Sequence, residues 1–112
     1  MKVNGEEIQL CPEGYLQDPD DWNKEVAEAL AEAENLPLTE EHWKIFDSMR
    51  AFYKENRVIP DVRHTTDNML DLFGLAKKRE AKAKLFKMFP YGYVKQACKI
   101  AGMRKPRGWS TG

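Results

Sequence analysis

The sequence is poor in the residues that cross-link a chain or bind a metal. Among its 112 residues there are only two cysteines, Cys11 and Cys98, and two histidines, His42 and His64. Two distant cysteines outside a CxxC motif do not indicate a structural disulfide, and no Cys/His cluster has metal-ligand spacing. We therefore predict no metal. We expect each histidine to be a surface or capping residue.

Long apolar runs are missing as well. Apolar residues make up 42% of the sequence, but no stretch is long enough to span a membrane. Residues 1–5 lack the apolar segment of a secretory signal. A chain of this length has the size of one domain, so we expect a single cytoplasmic domain without membrane contact.

Charge of one sign is scarce at each end of the chain, although the formal net charge is zero. Residues 1–47 hold 13 acidic and 3 basic residues, whereas residues 76–112 hold 11 basic residues and Glu80 as the single acid. This asymmetry has two interpretations: the C-terminal third meets an acidic or anionic partner, or the two halves fold against each other.

The first residues predict a short β-structure. Asn4-Gly5 is a strong hairpin signal because both residues tolerate the positive φ of a type I′ turn. Residues 6–10 alternate in polarity and predict a half-buried strand. Tyr15 and Leu16 are candidates for a third short strand.

Helix signals follow from Asp18 onward. Asp18 and Pro19 suit the start of a first helix that ends near Asn35, and Thr39 suits the cap of a second, broadly apolar helix. A third helix from Pro60 to Phe73, a fourth over residues 77–88 and a fifth over residues 94–101 complete the set. Their expected core positions include Trp22, Val26, Leu30, Ala33, Phe46, Val62, Met69, Leu72, Phe73, Ala81, Leu85, Met88 and Phe89.

The last residues show no periodicity. Residues 103–112 are rich in basic residues and Gly, and their composition predicts a mobile C-terminal arm. The fold class is therefore predicted as α+β: a small N-terminal hairpin or meander on an array of about five helices. We assign residues 1–102 to one domain and residues 103–112 to the arm.

Several segments, in this order, resemble those of the DsrC/TusE/DsvC family of sulfur-relay proteins, which includes the gamma-subunit-like proteins of dissimilatory sulfite reductase. They are EGYL at 13–16, LTEEHW at 38–43, RAFY at 50–53, IPDVR at 59–63, LFKMFPYG at 85–92, KQACKIAG at 95–102 and KPRG at 105–108. The resemblance covers nearly the whole chain.

The resemblance implies a small N-terminal sheet packed on helices, with a flexible C-terminal arm. It also implies a sulfur carrier without autonomous catalysis, and it implies no organic or metal cofactor. Known members partner dissimilatory sulfite reductase or pass persulfide sulfur toward tRNA thiolation. The implied partner is therefore a protein of a sulfur-transfer chain, either sulfite reductase-like or similar to TusBCD or DsrEFH.

Two positions depart from the family pattern. The family's Lys-Pro-x-Gly is normally followed by a cysteine, and here Trp109 stands in that place. The family's Gly-Pro after Phe-Pro is here Gly92-Tyr93, a change to which we give little weight. The first departure removes the residue that most members present on the arm.

Cys98 matches the family's inner cysteine and is the candidate sulfur acceptor. A persulfide carrier needs an accessible thiolate, which nearby cations favour. Three interpretations stay open: a single-cysteine carrier, a residue without redox function, or an intermolecular disulfide that gives a dimer. We interpret Cys11 as a small apolar filler. The basic residues near Cys98 in the sequence are Lys95, Lys99, Arg104 and Lys105. Trp109 would anchor the arm or dock to a partner.

A competing hypothesis is regulatory. The helix over residues 61–73, Gly74 and the helix over residues 77–88 resemble a helix-turn-helix. The second helix is rich in lysine, and Lys78, Lys82 and Lys87 could contact nucleic-acid phosphates. The alternatives are a solvated lysine face, or a docking subunit without redox function whose basic arm enters an acidic groove on a larger enzyme.

Overall fold

The computed structural model describes residues 1–105. The predicted arm therefore lies largely outside the described residues, and so does Trp109. The α+β class is confirmed, and no described helix is long and apolar enough to cross a membrane. The elements are strands β1 (Lys2–Val3) and β2 (Glu6–Glu7), a 3₁₀ turn (Pro19–Asp21), helices α1 (Lys24–Ala33), α2 (Glu40–Asn56), α3 (Val62–Phe73) and α4 (Lys78–Met88), and a π-helical turn (Tyr93–Cys98), here called the π-turn.

The N-terminal hairpin is confirmed, but its second strand is shorter than predicted. Asn4 and Gly5 both have positive φ, 52° and 84°, as a type I′ turn requires. β2 ends at Glu7, and Leu10 pairs with Leu16 in an isolated antiparallel bridge. The prediction of one strand over residues 6–10 is wrong because this stretch is divided between two pairing partners.

The predicted first helix is split in two. Asp18 caps only the 3₁₀ turn, and Trp22 has extended backbone, so the prediction of one helix starting at Asp18 is wrong. Asn23 then starts α1, because its side chain accepts a hydrogen bond of 2.8 Å from the backbone N–H of Val26. Ala33 is exposed, contrary to its predicted core position.

Helix α2 provides much of the core. Its N-terminus is fixed by Thr39 and His42, since His42 Nδ1 accepts a hydrogen bond of 3.1 Å from the Thr39 backbone N–H. His42 is thus a capping residue, as predicted, but a buried one. The buried face continues with Ile45, Phe46 and Met49.

Helices α3 and α4 pack against each other and end where predicted. Asp61 caps α3, and Gly74 ends it with φ of 63°. Leu72 is 36% exposed, so its predicted core position is wrong. The buried face of α3 consists of Thr65, Thr66 and Met69, so it carries two hydroxyl groups beside one apolar side chain.

The core is closed by the residues after α4. The predicted fifth helix is the π-turn followed by a short helical segment. Ile100, Ala101 and Met103 are all 0% exposed. Met103 therefore belongs to the core, although its sequence context assigned it to the mobile arm.

Candidate functional site

Cys98 lies inside the core, at the end of the π-turn. Its side chain is 0% exposed, as are those of Ala97 and Ile100 beside it. The chain folds back directly after it: Gly102 has φ of 82°, and the Met103 N–H donates a 3.0 Å hydrogen bond to the Cys98 carbonyl. π-helical turns recur at functional sites, so this geometry marks the segment as unusual.

A tryptophan and an arginine hold this segment from the N-terminal side. Trp22 Nε1 donates to the Ile100 carbonyl at 2.8 Å, and Arg50 donates to the carbonyls of Ala101 and Pro19, each at 2.8 Å. The Arg50 guanidinium lies 4.4 Å from the centre of the Trp22 ring. These bonds satisfy carbonyls from opposite ends of the chain and fix the backbone that follows Cys98.

Tyr93 lies on the other side of the site, and its contribution was underestimated from the sequence. The side chain is 2% exposed, and its hydroxyl donates to the Pro60 carbonyl at 2.5 Å. The hydroxyls of Tyr93 and Thr65 lie 2.8 Å apart. A side-chain hydrogen bond from Tyr93 also lowers the pKa of Cys98. A signal was present in the sequence: the family's proline is replaced by a large side chain with a polar tip, five residues before the candidate cysteine.

The electrostatics of Cys98 differ from the expectation. Burial raises the pKa of the thiol from its ordinary 9.0 to about 12, and the Tyr93 hydrogen bond opposes this only in part. The prediction of an accessible, cation-stabilised thiolate is therefore wrong for this conformation. The thiol is protonated at neutral pH and enclosed by protein.

The basic residues near Cys98 in sequence are either paired with carboxylates or exposed. Lys99 Nζ lies 3.7 Å from a Glu34 carboxylate oxygen, and Lys105 forms a 2.9 Å ion pair with Glu13. Exposed Lys95 and Arg104 are predicted site residues that no described contact brings to Cys98. These ion pairs join the basic C-terminal part to the acidic N-terminal part, as the second interpretation of the charge asymmetry proposed.

Cys11 has a different environment. It is half-buried and sits in a turn in which its N–H donates to the Tyr15 carbonyl at 2.8 Å. Both cysteines are free thiols. Cys11 thus sits at the margin of the fold and is not part of the buried core.

The lysines of α4 fall into two groups. Lys78 pairs with Asp67 at 2.9 Å, and Lys84 pairs with Glu41 at 3.0 Å. Lys82 and Lys87 are exposed, and no ion pair is recorded for them within residues 1–105. Of the three lysines predicted to contact phosphate, Lys78 is therefore already engaged by a carboxylate.

No metal site accompanies this geometry in the described part of the chain. Residues 1–105 contain no group of three or more His, Cys, Asp and Glu side chains that could hold an ion. The site consists of one buried thiol and the hydroxyl groups of a tyrosine and a threonine. Such a set can hold, donate and accept protons and can carry a covalently bound sulfur.

Known proteins resemble this chain along nearly its whole length. The family model described as "DsrC like protein" matches residues 2–109. The Sulfurtransferase TusE of Yersinia pseudotuberculosis is 38% identical over 106 residues, which cover 95% of this chain and 96% of the relative.

Solved structures agree with this relationship. The NMR structure of Allochromatium vinosum DsrC is 39% identical, with a TM-score of 0.83 and coverage of 97% of this chain and 96% of that one. The crystal structure of the oxidized gamma-subunit of the dissimilatory sulfite reductase (DsrC) from Archaeoglobus fulgidus is 36% identical, with a TM-score of 0.82 and 94% coverage of both chains. Sequence and fold therefore agree, and the chain belongs to the DsrC-like family.

Proposed function

We propose that the protein is a sulfur-relay carrier that accepts and passes on persulfide sulfur at Cys98. The observation that carries the proposal is the family match over residues 2–109, together with the cysteine that this chain has at the family's inner position. Relatives named Sulfurtransferase TusE support the same role. Trp109 stands where the family presents its outer cysteine, so Cys98 would act without a second thiol on the arm.

The chemistry is a transfer of zero-valent sulfur without net oxidation. The thiolate of Cys98 attacks the terminal sulfur of a donor persulfide, a new S–S bond forms, and the donor's S–S bond breaks. The donor leaves as a thiolate, which takes up the proton that Cys98 gave up. In the return step an acceptor thiolate attacks the outer sulfur, and Cys98 is the leaving group.

A carrier of this type has no autonomous catalytic activity and depends on protein partners. Solved structures similar to this chain include those of DsrC and of dissimilatory sulfite reductase I (DsrI). We propose a partner in a sulfur-transfer chain, either sulfite reductase-like or similar to TusBCD or DsrEFH, in the cytoplasm. The buried thiol implies that this partner also changes the conformation around Cys98.

Intact mass spectrometry after incubation with a persulfide donor tests the proposal. We expect the wild-type chain to gain the mass of one sulfur atom that dithiothreitol removes. Cys98→Ser should not gain it, whereas the matched control Cys11→Ser should gain it as the wild type does. Loading retained in Cys98→Ser but lost in Cys11→Ser would contradict the assignment to Cys98.

A second candidate function is nucleic-acid binding, favoured by the exposed lysines of α4. Lys82 and Lys87 are exposed and can contact phosphate, whereas Lys78 is paired with Asp67. Binding of a labelled DNA duplex at low salt should weaken in Lys82→Glu/Lys87→Glu. Binding should weaken less in the control Lys44→Glu/Lys54→Glu. This variant replaces two exposed lysines of α2 and changes the net charge by the same amount.

Absence of binding to the wild-type chain at low salt would remove this candidate. It would leave the alternative of a docking subunit without redox function, provided that sulfur loading also fails.

A further inference from the structure

The hydroxyl of Tyr93 joins three separate parts of the chain. It donates to the carbonyl of Pro60, which precedes α3, and it lies 2.8 Å from the Thr65 hydroxyl within α3. Cys98 lies at the far end of the π-turn, and a hydrogen bond from Tyr93 lowers the pKa of its thiol. One phenol hydroxyl therefore connects the candidate sulfur acceptor to the N-terminal end of α3.

The single proton of the Tyr93 hydroxyl cannot serve the Pro60 carbonyl and the sulfur of Cys98 at the same time. Tyr93 has one hydroxyl proton, and the Pro60 carbonyl can only accept, so this proton is donated to Pro60. One lone pair of the phenol oxygen can then accept from Thr65, whereas the hydrogen bond that lowers the pKa of Cys98 requires Tyr93 to donate to the sulfur. Ionising Cys98 would draw the phenol proton toward sulfur and leave the buried Pro60 carbonyl without its donor, which is unfavourable.

The π-turn is held by further bonds that enclose the thiol. The Tyr15 hydroxyl donates to the Val94 carbonyl at 2.9 Å, and the Tyr91 N–H donates to the buried Gln96 side chain at 3.0 Å. Cys98 is 0% exposed in this arrangement. A donor persulfide can therefore reach the sulfur only when the π-turn moves away from α3.

We propose that Tyr93 is a positioning residue that closes the site, holding Cys98 as a protected, protonated thiol until the π-turn is released from α3. This inference rests on the proposed function, because it describes how sulfur acceptance at Cys98 is regulated. A protein partner that binds the π-turn region would open the site and load it. Small oxidants and free persulfides would then react with the resting protein slowly.

Thiol labelling in a Cys11→Ser background tests the proposal, since Cys98 is then the one cysteine in the sequence. An aromatic disulfide reagent should label Cys98 through transient opening, at a rate set by the population of the open form. Tyr93→Phe removes the hydroxyl and keeps the ring, and we expect labelling about tenfold faster, the change that losing one buried hydrogen bond produces. Thr65→Val should accelerate labelling in the same direction.

The adjacent residue provides a matched control. Thr66 is as buried as Thr65, but its hydroxyl donates to carbonyls of its own helix, Val62 and Arg63. Thr66→Val should therefore accelerate labelling only by the amount that its loss of global stability explains. Urea unfolding measures that loss. Tyr93→Phe should accelerate labelling by more than its own change in global stability explains.

The pH profile separates closure from direct tuning of the sulfur. If Tyr93 acts by closing the site, the labelled species is the open form, so Tyr93→Phe raises the rate at every pH without moving its midpoint. A slower rate, an unchanged rate or a shifted midpoint in Tyr93→Phe would overturn the proposal. Sulfur loading measured by mass is independent: closure can fail while Cys98 still loads, and loading can fail while Tyr93→Phe still opens the site.

Discussion

The two cysteines lie in regions of opposite character. Cys11 sits half-buried in a surface turn held by short-range backbone bonds, whereas Cys98 is enclosed in the core by bonds from residues far away in sequence. Lys99, the neighbour of Cys98 in the sequence, pairs with Glu34, and Lys105 pairs with Glu13. The difference teaches that the reactivity of a cysteine follows from what covers it in three dimensions more than from its neighbours along the chain.

The largest expected effect comes from Gly102, which follows Cys98 in the core. A Cβ at Gly102 would lie 2.3 Å from Trp22 Cδ1 and 2.8 Å from an Arg50 nitrogen, and φ there is positive. Gly102→Ala should therefore destabilise the fold by roughly 3 kcal/mol or more, through overpacking and backbone strain together. Urea unfolding followed by circular dichroism measures it.

Gly5→Ala is the matched control for that substitution. Gly5 has nearly the same positive φ of 84°, but nothing lies within 4 Å of the added Cβ. It should cost about 1 kcal/mol, the backbone term alone. Equal effects at both positions would contradict the close packing of Gly102 against Trp22.

The next effect is alkaline destabilisation from Cys98. Folding raises the pKa of this thiol to about 12. The thiol therefore contributes its full share to the free energy of unfolding below its unfolded pKa, and this share is lost as pH rises from there toward 12. The loss amounts to about 3 to 4 kcal/mol if the site stays closed. Unfolding free energies of wild type and Cys98→Ala at pH 8 and 10 measure its first part.

Cys98→Ala should lack the decline that the thiol causes between these two pH values, whereas Cys11→Ala should keep it. Burial also raises the pKa values of Tyr15 and Tyr93, and they add a decline that begins only at higher pH because an unfolded tyrosine ionises at about pH 10. An identical slope in Cys98→Ala and wild type would show that the thiol opens to water well below its folded pKa.

A smaller effect is expected from Arg50. Arg50→Met keeps much of the side-chain length but leaves the carbonyls of Ala101 and Pro19 without their donors. We expect a loss of about 2 kcal/mol of unfolding free energy, together with faster labelling of Cys98. Arg63→Met, at an exposed position of α3, should stay within about 0.5 kcal/mol of wild type.

The smallest effect belongs to the ion pair between Lys105 and Glu13, whose side chains are about half exposed. Lys105→Ala should cost less than about 1 kcal/mol, and the difference should vanish at high salt. Thermal unfolding at low and high ionic strength measures it. A larger, salt-resistant loss would show that Lys105 contributes by packing.

Local signals explain which parts of the fold could be predicted. The Asn4-Gly5 turn, the Thr39 cap and the Gly74 helix end each depend on a few neighbouring residues, and each was found from the sequence. The break at Trp22 was missed, because Asp18-Pro19 and Asn23 both make good helix starts and the choice between them is tertiary. Trp22 is extended where it reaches the Ile100 carbonyl.

The candidate site was predictable in composition but not in geometry. Position 98 was found from motif resemblance, while burial of its thiol depends on long-range contacts that one sequence does not display. The same limit hid Thr65, which reads as an ordinary helix residue until Tyr93 is placed beside it. The burial of Cys98 and the contact of Thr65 were both missed because hydrogen-bond partners distant in sequence have no local signature.

The burial of Met103 has a consequence for synthesis of the chain. Trp22 and Arg50 emerge from the ribosome early, yet the carbonyls they bind, at Ile100 and Ala101, follow 78 and 51 residues later. Until these residues appear, the part of the core that Ile100, Ala101 and Met103 fill stays open to water. The nascent chain therefore cannot complete its fold element by element, and premature termination before this point yields an aggregation-prone product.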